Sequence, residues 1–151
     1  MANTYTQTHY HVVFSVKNRE SKLQNSNLNH IFDLIGIVIS EEDTIPLIVG
    51  GYTDHIHLLI SVKPKYAVSD IISKIKTKTN KRLKEKQLVD ERFEWQIGYS
   101  VFGVSRHDLD SVKSYIKNQE SHHQKISFKE EYVSLLREAN IHFDEKYLFD
   151  L

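Results

Sequence analysis

Cysteine is absent from this 151-residue chain, and with it go disulfide frameworks, thiolate nucleophiles and Cys-ligated zinc. Net charge is missing too. The 20 Lys and Arg balance 20 Asp and Glu, so a uniformly basic nucleic-acid coat is excluded and any basic face has to be local. Two prolines and five glycines are scattered singly or in pairs, and no linker, repeat or low-complexity stretch divides the chain. A single domain over 1–151 is expected. The longest aliphatic run, around Leu34 to Ile39, falls far short of the roughly 20 residues of a membrane span. The opening Met-Ala-Asn-Thr-Tyr has neither the basic start nor the apolar stretch of a signal peptide. These absences predict a cytoplasmic protein with no membrane partner. What is present, 40% hydrophobic and 11% aromatic residues, suffices for a sizeable core.

Tyr5 to Val16 alternates Tyr10, Val12 and Phe14 against His9, His11 and Val13, which predicts a strand. Leu28, Ile31, Phe32, Ile35 and Ile39 recur at helical spacing, predicting a helix over roughly 23–40. Ile45 to Val49 and His55 to Val62 read as a hairpin whose irregular turn carries Gly50, Gly51 and Asp54. A second helix starts near Ser69, and Trp95 to Val104 reads as a fourth strand. Ser105 and Asp108 suggest a capping box opening a third helix that runs to about Gln124; a last helix covers Phe128 to Ala139. The order is βαββαβ. The predicted class is α+β, a ferredoxin-like palm with an antiparallel sheet and helices on one face, followed by C-terminal helices.

Three features carry chemistry. In Asp54-His55-Ile56-His57-Leu58, residues two apart on a strand share a face, so His55 and His57 project together and could chelate a divalent cation with positions left open. The plain alternative is two histidines on a solvated strand face. His9 and His11 form a rival pair with the same spacing, whereas His122 and His123, about 100° apart on a helix, make a poor chelate. In Tyr115-Ile116-Lys117-Asn118-Gln119, positions i and i+4 share a helix face, so the phenol and the carboxamide point the same way. Tyr115 could equally be one of eight tyrosines edging the core, and Tyr99 is a competing phenol. Finally, Lys74, Lys76, Lys78, Lys81, Arg82, Lys84 and Lys86 are opposed in that stretch only by Glu85, with Lys17 and Arg19 nearby. Such a concentration in a neutral chain is the footprint of a polyanion-binding face, or else a solvated lysine-rich helix.

Together these segments resemble a known family: the single-tyrosine insertion-sequence transposases of the HUH (His-hydrophobic-His) superfamily, IS200-like and REP-associated. The likeness runs through Thr8-His9-Tyr10-His11-Val12-Val13-Phe14 with Lys17-Asn18-Arg19, then Gly50-Gly51-Tyr52-Thr53-Asp54-His55-Ile56-His57. It continues through Ser69 to Lys76, Trp95-Gln96-Ile97-Gly98-Tyr99, and Tyr115 to His123. The resemblance implies a bacterial or archaeal enzyme that cleaves and rejoins single-stranded DNA at the hairpin ends of an insertion element. It implies His55, His57 and Gln119 as ligands of Mg²⁺ or Mn²⁺, and Tyr115 as a nucleophile forming a 5′-phosphotyrosine. It places DNA on Lys17, Arg19, Lys74, Lys78, Lys81 and Arg82, and it implies a homodimer whose active sites are shared between subunits. Two other readings stay open: a non-catalytic single-strand-binding module on the same palm, and a domesticated nuclease cutting host palindromic repeats. No general base stands out.

Overall fold

The computed structural model describes residues 3–17 and 22–149. Among these, strands β1 (His9–Ser15), β2 (Ile45–Gly51), β3 (His55–Ser61) and β4 (Ser100–Val104) form one antiparallel sheet in the order β2-β3-β1-β4. Helices α1 (Leu28–Glu41) and α2 (Val68–Glu85) complete the βαββαβ palm. The predicted α+β ferredoxin-like class is the observed one.

Strand alternation sorts the side chains into two faces. Val12 and Phe14 of β1, with Ile56, Leu58 and Ile60 of β3, join Ile31, Ile35, Val38 and Ile39 of α1 and Ile71, Ile72 and Ile75 of α2 in the main core. Trp95 lies in this core at 4.9 Å from the Phe14 ring and 4.8 Å from Phe93, both edge-on, and its indole N–H donates to Thr79 of α2. The opposite face carries His11, Val13, His55 and His57. It is covered by α3 (Leu109–Lys117), α4 (Gln119–His123) and α5 (Phe128–Glu138). There Phe128, Tyr132 and Leu136 of α5 pack on Val13.

Three elements depart from expectation. The fourth strand begins at Ser100 rather than Trp95, which makes only an isolated bridge to Val16. There the ammonium of Lys76 on α2 donates to the carbonyls of Gln96 (2.5 Å), Ile97 (3.2 Å) and Gly98 (2.9 Å), three successive carbonyls turned to one side, whereas a strand points them to alternate sides. The third helix is preceded by a 3₁₀ turn over Arg106–Asp108, where the Ser105 hydroxyl meets the Asp108 carboxylate instead of capping backbone. That helix also breaks at Asn118 (φ −97°, ψ 20°), dividing it into α3 and α4. The first helix starts five residues later than expected, at Leu28, after a 3₁₀ turn over Asn25–Asn27.

Candidate active site on the helix-covered face of the sheet

His55 and His57 are wholly buried beneath α3, α4 and α5, so the solvated-face alternative does not hold. Their rings lie 5.0 Å apart at 80°. His55 Nδ1 is 2.7 Å from Asp54 Oδ1, and His57 Nδ1 is 2.7 Å from His11 Nε2. Each imidazole is thus oriented from behind while its Nε2 faces the helices, an arrangement that suits metal-ligating histidines. His11 is therefore an orienting partner of His57. Burial pushes the His11 imidazole down to about 3 and the His57 imidazole down to about 4, so both rings are neutral and can offer lone pairs.

Gly50 and Gly51 bring α3 onto the sheet. A Cβ on Gly50 would stand 2.7 Å from Ile116 Cγ2 and 2.8 Å from the Ile116 carbonyl, so α3 can lie this close only over glycine. Gly51 turns the chain at φ +141°, where a Cβ would collide with the His55 carbonyl. The result places the Tyr115 ring 5.7 Å from the His57 ring and 6.2 Å from that of His11. The break at Asn118 rotates α4 so that Gln119 is buried, with Oε1 2.8 Å from His55 Nε2. His123, one turn on, lies 2.9 Å from the same oxygen.

Glu131 of α5 completes the cluster, and sequence reasoning missed it. Its Oε1 faces His57 Nε2 (3.4 Å), His55 Nε2 (3.5 Å) and His123 Nε2 (2.9 Å). Its Oε2 accepts from the Tyr115 hydroxyl and from Gln119 Nε2 (2.9 Å). Burial alone would raise this carboxyl, but hydrogen bonds from His123 and His57 outweigh it and hold Glu131 well below the usual carboxylate range. Burial and the adjacent Glu131 push the Tyr115 phenol far above its ordinary value, so it is a neutral donor. His123 is raised: the pull of Glu131 exceeds the cost of burial. A signal was available in Glu131 itself, because it occupies a position on the apolar stripe Phe128, Tyr132, Leu135, Leu136 where an unpaired carboxylate would be costly. His122, set aside as part of a poor chelate, stands 3.4 Å from Glu131 Oε2.

The donor set fits a divalent cation. His55 Nδ1–H donates to Asp54, so its Nε2 lone pair faces the oxygen of Gln119, and Gln119 is fixed in that sense by its own N–H to Glu131. Lone pairs facing lone pairs at this distance call for positive charge between them, either a proton or a metal ion. The donor atoms of His55, His57 and Glu131 lie within 4.8 Å of one another, as do those of His122, His123 and Glu131.

The basic helix lies elsewhere. α2 packs on the other face of the sheet, where Lys78 pairs with Glu42 and Arg82 with Glu41 of α1. Lys74 and Lys81 are exposed, and Lys17 pairs with Glu94 at 3.4 Å. Arg19 lies outside the described residues. Tyr99, the competing phenol, lines a hollow beside α2 with Lys76, Lys81 and Trp95.

The ferredoxin-like sheet thus holds a buried histidine pair against a tyrosine-bearing helix, and comparison with known proteins puts the chain in the transposase class of DNA-processing enzymes. The profile of the family "Transposase IS200 like" matches residues 4–119, and the chain belongs to that family. It is 26% identical over 120 residues to the ISDra2 transposase TnpA of Deinococcus radiodurans, covering 75% of this chain and 84% of the relative. It is 27% identical over 125 residues to the transposase for insertion sequence element IS200 of Salmonella typhimurium, covering 79% and 81%. Among solved structures, a REP-associated tyrosine transposase bound to a REP hairpin superposes with a TM-score of 0.59 at 13% identity, over 99% of this chain and 91% of that one. A candidate transposase from Deinococcus radiodurans R1 gives 0.60 at 21% identity, over 79% and 95%. Among the described residues no helix is long and apolar enough to cross a membrane.

Proposed function

We propose that this transposase cleaves and rejoins single-stranded DNA through a covalent bond to Tyr115. The observation that carries the reading is the convergence of the Tyr115 hydroxyl, the His55–His57 pair and Gln119 within one buried cluster. Tyr115 Oη forms the new bond to phosphorus while the P–O3′ bond breaks, leaving a 5′-phosphotyrosine and a 3′-oxygen that takes a proton from water to become the 3′-hydroxyl. The Oη–H donates to Glu131 Oε2, a contact that fixes where the phenol oxygen sits for attack. A phosphodiester of a phenol is then open to a DNA 3′-hydroxyl, so the strand is resealed without an external energy source. His55, His57 and Gln119 would hold Mg²⁺ or Mn²⁺, which supplies Lewis-acid polarisation of the scissile phosphate. Asp54 and His11 keep the two imidazoles turned toward that position.

The substrate proposed is a DNA hairpin at the ends of an insertion element, in keeping with the REP hairpin bound by the structural relative. Lys74 and Lys81 on α2, with Lys17, Arg19, Lys78 and Arg82, are the proposed phosphate contacts. Because α2 and the histidine pair lie on opposite faces of the sheet, a hairpin held on α2 must send its single strand around the sheet to reach Tyr115. The chain as a whole is proposed to act as one domain. In the single chain α3 serves its own histidine pair; exchange of α3 between two copies would give the homodimer with shared sites.

The test is a covalent adduct. Incubated with single-stranded oligonucleotides from its element's ends and Mn²⁺, the protein should give a DNA-linked band that EDTA and Tyr115→Phe abolish, while Tyr115→Phe still binds the hairpin. An adduct that persists in Tyr115→Phe overturns the reading.

A further inference from the structure

We infer that Glu131 is an anionic metal ligand, joining His55, His57 and Gln119, and that its two oxygens couple the ion to the nucleophile. The inference rests on the metal-dependent reading above and deepens it. Oε1 lies 3.4 Å from His57 Nε2 and 3.5 Å from His55 Nε2, long for hydrogen bonds. Two donors sharing an ion at about 2.1 Å each stand roughly 3.0 to 3.4 Å apart, so these spacings lie at or just beyond the long edge of a coordination polyhedron. Oε2 is turned away from the rings, onto the Tyr115 hydroxyl and Gln119 Nε2. One carboxylate thereby orients the third ligand and the phenol while offering its other oxygen to the cation.

The carrier is rigid. Phe128 stacks on His55 at 4.1 Å and 12°, and the Tyr132 hydroxyl bonds Ser100 of β4, so Glu131 is pinned between two packed aromatic anchors one turn apart. α5 lies beyond the stretch matched by the family model, which ends at residue 119. Two imidazoles, a carboxamide and a carboxylate form a mixed nitrogen–oxygen shell. Such a shell favours Mn²⁺ over Mg²⁺, which prefers oxygen ligands and retains its waters. Ligation also has a consequence for the histidines. His57 must then offer its Nε2 lone pair, so its proton sits on Nδ1 and donates to His11 Nε2, which in turn carries its own proton on Nδ1.

Calorimetric titration of the purified protein with MnCl₂ and with MgCl₂ tests this, using wild type, Glu131→Gln and His57→Ala. Glu131→Gln should weaken Mn²⁺ binding at least tenfold and narrow the preference over Mg²⁺. Unchanged Mn²⁺ affinity in Glu131→Gln with a loss in His57→Ala overturns the inference and leaves the histidine site standing. Unchanged affinity in His57→Ala overturns the metal-site reading itself, and the inference with it. Manganese anomalous scattering from crystals of the wild-type protein separates ligation from mere support, and serves equally if Glu131→Gln does not fold. A peak about 2.2 Å from a Glu131 oxygen upholds the inference; a peak beside the histidines with Glu131 more than about 3 Å away refutes it.

Discussion

Acidification should unfold the metal-free protein from the histidine face. His11 and His57 titrate near 6.5 when unfolded but are held at about 3 and about 4 in the folded chain by burial. Between those limits the unfolded state binds about two more protons than the folded one, so stability rises with pH and is lost as pH falls below 6.5. At about 1.36 kcal/mol per proton and pH unit the slope is about half its limit at pH 6.5 and approaches about 2.7 kcal/mol per unit below it, a loss of about 3 kcal/mol between pH 6.5 and pH 5. That is most of the stability of a domain at the lower end of the usual 5 to 15 kcal/mol range. Glu131, held low, adds to the loss below its unfolded value of 4.5. His123 acts oppositely: its pKa is raised, so its contribution is complete below 6.5 and fades as pH climbs through the folded value. Urea unfolding in EDTA, followed by the single tryptophan, Trp95, which is 6% exposed in the main core, gives the slope directly. His11→Phe should roughly halve it. A midpoint unchanged from pH 7 to 5, or a slope that survives His11→Phe intact, would refute the reasoning.

Further outcomes follow from the same contacts. Gly50→Ala should push α3 off the sheet, costing about 1 to 3 kcal/mol in urea unfolding and lowering the adduct yield at least tenfold, since the methyl meets the Ile116 backbone. In Mn²⁺ titrations His11→Phe should lose roughly 10- to 100-fold in affinity although His11 is not itself a ligand, because His57 loses its orienting partner. If active sites are shared between copies, mixing Tyr115→Phe with His57→Ala restores DNA cleavage that neither variant shows alone; continued inactivity of the mixture marks a site built within one chain.

The element order was legible because each strand and helix announces itself locally, by alternation in Tyr10 to Phe14 and by three-four spacing in Leu28 to Ile39. The exceptions are places where the chain leaves its local pattern beside a distant side chain. Trp95 to Tyr99 has strand-like composition, yet three of its carbonyls turn to one side, onto Lys76 of α2. Tyr115 to His123 has one continuous helical pattern, yet it bends at Asn118 to bury Gln119 beside His55. In the candidate site, His55, His57, Tyr115 and Gln119 could be paired from spacing within single elements. His11 could not, because its link to His57 depends on the register between β1 and β3. Glu131 arrives from a helix whose sequence reads as ordinary core packing. Its one anomaly, a carboxylate on an apolar stripe, has meaning only once the imidazoles it faces are known. On the basic helix, the pairing of Lys78 with Glu42 and of Arg82 with Glu41 was equally out of reach, because it depends on how α2 packs against the end of α1.

The most direct measurement is the identity of the residue left bearing nucleotide. After reaction with a single-stranded hairpin oligonucleotide, nuclease trimming and proteolysis, mass spectrometry should find the residual nucleotide on the peptide Ser114-Tyr115-Ile116-Lys117, esterified through the tyrosine. Nucleotide on Tyr99 or on any other side chain would contradict the account.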